Sequence, residues 1–168
     1  MASSSKSLIL SAFSEQGVQK CGAALAGLTR TGDVIALSGD LGAGKTVFAK
    51  AFVRALTNKD EDVPSPTFTL VQMYDGHRDG EDLTIWHFDL YRLKTAEEIY
   101  ETGFEEALSD GVSLIEWPER AENLLPRNRL IIHLEAPAAQ PDKRNITITA
   151  NTADWIQRME KIKACLNV

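Results

Sequence analysis

The stretch that most constrains this chain is Gly39-Asp40-Leu41-Gly42-Ala43-Gly44-Lys45-Thr46, which satisfies G-x-x-x-x-G-K-[ST] position by position. An apolar run, Val34-Ile35-Ala36-Leu37-Ser38, precedes it behind the turn pair Gly32-Asp33 and reads as a short buried strand. After it, Val47, Phe48, Ala51, Phe52, Ala55 and Leu56 recur at spacings of three and four, so an amphipathic helix follows directly. The residue types have a chemical reason. Phosphate oxygens must be met by several backbone N–H groups at once, which requires glycines that permit unusual dihedrals and close approach. The helix start adds unpaired N–H groups and the positive end of its dipole. The motif therefore assigns nucleotide-phosphate binding to Asp40, Leu41, Gly42, Ala43 and Gly44, with Lys45 reaching the β- and γ-phosphates of ATP and the Thr46 hydroxyl on Mg²⁺.

The length, 168 residues, suits a single domain over the whole chain, 1–168. The expected class is α/β: a P-loop NTPase fold with a mixed central sheet flanked by helices. A net charge of −6 argues against a large basic surface for holding nucleic acid. Cys21 and Cys165 lie far apart and form no C-x-x-C pair, which favours buried helix cysteines in a reducing compartment over a disulfide. No apolar run approaches a membrane span, and Met1 to Ser7 lacks the apolar segment of a secretory signal, so a cytoplasmic protein is expected.

Along the chain, Leu8-Ile9-Leu10 suggests a first strand, and Ser14-Glu15 a helix start leading through Val18, Cys21, Leu25 and Leu28 to the Thr31-Gly32-Asp33 turn. Asn58-Lys59-Asp60-Glu61 reads as a solvated loop and Val63-Pro64-Ser65-Pro66 as a proline-restricted one. Thr67 to Tyr74 and Leu83 to Leu90 have strand composition and flank a polar turn, Asp75 to Asp82, as a hairpin. In the second strand His87 and Asp89 share one face, opposite Trp86, Phe88 and Leu90. Thr95-x-x-Glu98 predicts a capping box and Gly103 a helix end, with a short helix at Phe104 to Leu108. Val112 to Ile115 is an apolar strand ending on Glu116, where open α/β sheets bind ligands. Leu130 to Leu134 and Ile146 to Ile148 read as late strands, and Trp155, Ile156, Met159, Ile162 and Leu166 outline a last helix.

Taken together, Gly39 to Thr46, Ser65-Pro66-Thr67-Phe68, His87-Phe88-Asp89-Leu90-Tyr91-Arg92 and Ile115-Glu116-Trp117-Pro118 resemble the TsaE (YjeE) family over about Gly32 to Pro126. The resemblance implies a P-loop ATPase needed for threonylcarbamoyladenosine formation on tRNA, with TsaD and TsaB as partners and tRNA reached indirectly through them. It implies that Lys45 is the phosphate lysine, Thr46 the magnesium threonine, Thr67 a loop residue sensing the γ-phosphate and Asp89 an acid needed for hydrolysis. Glu116 would be the magnesium-associated acid and Trp117 a neighbour of the nucleotide. Two departures stand at the ends: Val18 occupies the place of an early threonine, and Lys143-Arg144 fits a late basic position only loosely.

The bland alternatives are an Asp89 salt bridge, a strand start at Thr67, core packing for Trp117, and for His87 a structural role orienting its neighbours. Arg92 is either a transition-state cation or a surface residue. Two other function classes share the phosphate loop: a small nucleotide or metabolite kinase, and a nucleotide-dependent binding module with negligible hydrolysis. A kinase needs an arginine-bearing lid and an acceptor pocket, and no arginine cluster follows the Glu116 strand.

Overall fold

The computed structural model describes residues 4–167, so the expectation for Met1 to Ser3 lies outside it. Seven strands form one sheet: β1 Lys6–Phe13, β2 Val34–Ser38, β3 Val71–Arg78, β4 Glu81–Asp89, β5 Gly111–Glu116, β6 Leu130–Glu135 and β7 Arg144–Ala150. Their spatial order is β1-β7-β6-β2-β5-β4-β3. The middle four, β6, β2, β5 and β4, run parallel, and antiparallel strands close both sides. This is the mixed-sheet α/β architecture expected of a P-loop fold.

Helices cover both faces because the parallel strands are apolar on both sides. Helices α1 (Glu15–Ala26), α2 (Lys45–Leu56) and α4 (Ala153–Leu166) bury Cys21, Leu25, Phe48, Phe52, Trp155 and Met159 against Leu37, Ile85, Leu114 and Ile132. Gly22 lets α1 approach α2 closely, since a Cβ there would lie 2.7 Å from the Phe48 carbonyl oxygen. On the other face α3 (Phe104–Asp110) and 3₁₀ turns at Ala96–Thr102 and Pro118–Leu124 enclose Trp86, Phe88, Leu90, Ile99 and Ile115. Period-2 alternation thus sends Trp86 and Phe88 to one side, and Ile85 with His87 and Asp89 to the side that α2 covers.

Several local expectations are corrected. The third strand begins at Val71 rather than Thr67. Residues 67–70 instead form a turn in which the Leu70 N–H reaches the Pro66 carbonyl at 2.8 Å and Leu70 takes a φ of 68°. The hairpin turn is the pair Asp79-Gly80 alone, at φ 51° and 82°, a twist that suits a two-residue connection. The other Asp-Gly pair stays in β3, where a Cβ on Gly76 would strike the Ile85 side chain at 2.5 Å and the Leu56 carbonyl oxygen at 2.9 Å. The capping box does not close: the Thr95 side chain makes no cap bond, and Glu98 accepts from the Lys94 N–H at 3.1 Å. The first strand is longer than Leu8 to Leu10, and α1 stops at Ala26, short of the Thr31-Gly32-Asp33 turn. Both cysteines are free. Cys21 is buried, which pushes its thiol up to about 12, but Cys165 is exposed because it falls on the outer face of α4. No helix of the described residues is long and apolar enough to cross a membrane.

Arg158 ties α4 to the start of β2. Its guanidinium donates to both Asp33 carboxylate oxygens at 2.6 and 3.0 Å, to the Leu28 carbonyl at 3.0 Å and to Asp154 at 2.6 Å, and it lies over the Trp155 ring. Burial pushes the Asp154 carboxyl up, but Arg158 and then Arg30 outweigh it and hold the group below its usual range. That contribution to stability is therefore present above the ordinary carboxylate range and lost as pH falls through the depressed value. Removing the cation leaves the largely buried Asp33 carboxylate without a counter-charge, its remaining hydrogen bond being the one from the Arg30 N–H at 2.7 Å. Arg158→Ala should cost about 3 kcal/mol or more of unfolding free energy, read as a lower urea midpoint at neutral pH. A midpoint within error of the unaltered protein would refute this account of the α4 anchor.

Candidate functional site

The parallel register brings three strand ends together. Leu37 pairs with Glu116 across β2 and β5, and Asp89 pairs with Glu116 across β4 and β5. The chain leaving β2 turns through Gly39 to Gly44 and enters α2 at Lys45, above these ends. Gly39 is required twice over: its φ is 141°, and a Cβ would lie 2.4 Å from the Leu134 carbonyl oxygen. Gly42, at φ 79°, has open space where a Cβ would sit, so the crown of the loop faces a free cleft. A cleft of about 280 Å³ is lined by Leu41, Gly42, Gly44, Lys45, Thr46, Val47, Ser65, Thr67, Asp89, Glu116 and Trp117. Asp40 and Ala43, also expected at the site, do not line it. Asp40 is exposed at the rim, where its carbonyl accepts the Ala43 N–H at 3.0 Å, and Ala43 is buried beneath the loop.

Three charged side chains of the site are withdrawn from water: Lys45 is 6% exposed, Asp89 4% and Glu116 3%. Lys45 folds back so that Nζ donates to the Gly39 carbonyl and sits 3.6 Å from the centre of the Trp117 ring. Burial pulls its ammonium below the ordinary lysine range, while Glu116, Glu119, Asp89 and Asp40 pull it back up. Glu116 Oε2 lies 2.7 Å from His87 Nε2, and His87 is itself buried. In the tautomer protonated on Nε2 the ring donates to Glu116, and its Nδ1 has no hydrogen-bond partner among the described residues.

Asp89 is held from two directions. Its Oδ1 accepts the Tyr91 N–H at 3.0 Å, and its Oδ2 accepts the Thr67 hydroxyl at 3.0 Å and, more weakly, Ser65 at 3.4 Å. These bonds explain why residues 67–70 form a turn and not strand, since the Leu70 carbonyl also accepts the Asp89 N–H at 2.9 Å. Trp117 stands at φ 57°, a left-handed conformation that turns its ring over the cleft, 4.8 Å from the Tyr91 ring.

The set is all hard oxygen plus one ammonium: the Thr46 hydroxyl, the Glu116 and Asp89 carboxylates, and the Lys45 cation. That donor set suits Mg²⁺ together with phosphate oxygens. Arg92 does not enter the cleft; it lies exposed, 4.3 Å from the Phe68 ring centre, and Phe68 is 81% exposed. Two contacts of the site join residues far apart in the chain. Glu116 bonds directly to His87, which only the pairing of β4 with β5 could reveal. Arg144, from β7 on the far side of β6, donates to the Gly42 and Ala43 carbonyls; its only trace in the sequence is the loosely fitting basic pair Lys143-Arg144.

Comparison with known proteins gives a consistent picture. The family model described as "Threonylcarbamoyl adenosine biosynthesis protein TsaE" matches residues 12–146. The tRNA threonylcarbamoyladenosine biosynthesis protein TsaE of Rickettsia conorii is 41% identical over 138 residues, 82% of this chain and 75% of the relative. The protein of the same name from Bacillus subtilis is 41% identical over 126 residues, 74% of each chain. The crystal structure of YdiB from Bacillus subtilis superposes with a TM-score of 0.74 at 30% identity, covering 96% of this chain and 97% of that one.

The stacking of Lys45 on Trp117 supplies an optical handle. A phosphate ligand that draws Lys45 off the ring should change tryptophan emission, and Trp117→Phe should abolish that change. Trp86 and Trp155 are almost fully buried elsewhere, so an undiminished response to MgATP in the Trp117 variant would show that the ligand acts at another place.

Proposed function

The chain belongs to the TsaE family, whose role is threonylcarbamoyladenosine biosynthesis on tRNA, and from that premise we propose that it is a cytoplasmic, Mg²⁺-dependent ATPase. It hydrolyses ATP to ADP and phosphate, and its cycle drives or resets a TsaB–TsaD assembly that carries out the modification. The observation that supports this reading best is the meeting of a phosphate loop with two buried carboxylates, Asp89 and Glu116, at adjacent parallel strand ends.

In this reading the loop amides and the N-terminus of α2 receive the phosphates, and Lys45 exchanges the Gly39 carbonyl for β- and γ-phosphate oxygens. Thr46 and Glu116 would hold Mg²⁺, which when bound neutralises charge developing on the phosphate oxygens. His87 keeps the Glu116 carboxylate oriented. Asp89, fixed at Oδ1 by the Tyr91 N–H, presents Oδ2 to orient the attacking water. Thr67 and Ser65 occupy that oxygen in the structure described here, so a γ-phosphate that recruits the Thr67 hydroxyl would release Oδ2 and reorder the 65–67 loop together. That coupling makes the loop a two-state element through which nucleotide could control a partner surface. The acidic chain would meet tRNA through its partners.

Lys45→Ala should weaken MgATP binding. Asp89→Asn and Glu116→Gln should keep near-normal binding while losing about 100-fold or more in phosphate release. Full partner-stimulated hydrolysis in both carboxylate variants would overturn the assignment of the acids.

Coupling to the partners is tested separately, by measuring assembly with TsaB and TsaD under ATP, ADP and no nucleotide, alongside multiple-turnover tRNA modification. Nucleotide-dependent assembly and a stalled cycle with Glu116→Gln are expected. Assembly indifferent to nucleotide, with full modification by the hydrolysis-dead variant, would leave only a passive binding module.

A further inference from the structure

Arg144 opens β7, at the opposite side of the sheet from the Asp89 strand, yet its side chain ends on the crown of the phosphate loop. Its Nε donates to the Ala43 carbonyl oxygen at 3.0 Å and its Nη2 to the Gly42 carbonyl oxygen at 3.1 Å. The remaining nitrogen, Nη1, donates to the carbonyls of Pro141 at 2.8 Å and Lys143 at 2.6 Å. The guanidinium is therefore tied to its own turn on one side and grips two successive peptides of the loop on the other.

We propose that Arg144 is a positioning residue for phosphate binding, acting through the peptide planes of the loop and not through contact with the nucleotide. The inference rests on the ATP reading above. A trans peptide is planar and carries its C=O and N–H on opposite edges. Holding the Ala43 oxygen against Arg144 therefore turns the Gly44 N–H the other way, toward the cleft that Gly44 lines. Holding the Gly42 oxygen fixes the neighbouring plane, whose Ala43 N–H donates to the Asp40 carbonyl at 3.0 Å and closes the turn. The stretch so gripped lies between Gly42 at φ 79° and Gly44 at φ 105°, two residues that lose the most conformational freedom on ordering. Fixing them before the ligand arrives removes an entropic cost that binding would otherwise meet. Only the guanidinium has a rigid fork matched to two carbonyls; an ammonium on a flexible stem has not.

The test compares inorganic tripolyphosphate with MgATP, because a residue that shapes the loop acts on phosphate whether or not a nucleoside is attached. Dissociation constants are measured by calorimetry for the full chain, Arg144→Lys and Arg144→Met, with amide exchange at Gly44 read in parallel. Both variants should lose about tenfold in affinity, by the same factor for both ligands, with faster Gly44 exchange. Arg144→Lys keeps the charge and most of the stem, so it carries the test if Arg144→Met folds poorly. Wild-type affinity in Arg144→Lys would overturn the inference in favour of simple charge, and a loss confined to MgATP would overturn it in favour of direct nucleoside contact. If the unaltered chain binds neither ligand, the ATP reading itself fails and this inference falls with it.

Discussion

Withdrawing Asp89, Glu116 and Lys45 from water is the act on which the arrangement of this protein turns. An isolated buried charge is so unfavourable that each must be paired or hydrogen-bonded, and the surrounding structure supplies the partners. Glu116 has His87 from the adjoining strand, and Asp89 has a backbone N–H and two hydroxyls from the 65–67 loop. Lys45 has the Gly39 carbonyl and the Trp117 face. Each partner of Lys45 is one that a stronger anion can displace. The same desolvation that costs stability is what strengthens each of these contacts, since a charge is screened less in a buried site than in water.

Two parts of the site differ in character. The strand ends and the start of α2 are locked by parallel pairing and by an apolar layer in which Phe48, Phe52, Ile85 and Leu114 are almost wholly buried. The 65–67 loop meets Asp89 through two hydroxyls on one carboxylate oxygen, is pinned by the buried Pro66, whose carbonyl accepts the Leu70 N–H, and carries the exposed Phe68 beside it. The two hydroxyl contacts are the part of that loop that a competing anion would exchange, while its proline stays in the packed frame. The Arg144 grip belongs to the rigid frame and joins β7 to the phosphate loop at the centre of the sheet.

The sequence by itself determined the phosphate loop, because G-x-x-x-x-G-K-[ST] between an apolar run and a 3.6-period run is a local pattern whose geometry follows from its own residues. It likewise determined β2, β5, α2, α4 and the shared face of His87 and Asp89, since periodicity needs no knowledge of neighbours. Family likeness marked Thr67, Asp89, Glu116 and Trp117, and all four line the cleft. Turn chemistry was less decisive. The polar stretch Asp75 to Asp82 reads as one turn, but β3 runs on to Arg78 and the chain reverses only at Asp79-Gly80, with Gly76 packed against Ile85 and the Leu56 carbonyl.

What only the tertiary structure decided was which distant residues meet. The bond between His87 and Glu116 exists because β4 lies parallel to β5 in one register. Thr67 left its expected strand because Asp89 offers its hydroxyl a buried acceptor. Arg144 reaches the loop because the sheet order sets β7 beside β6, and β6 beside β2. Local sequence carries propensity and periodicity, which act over a few residues. Pairing of strands separated by long stretches of chain is settled by burial and hydrogen bonding across the whole sheet, and that is where the compensation of the buried charges was decided.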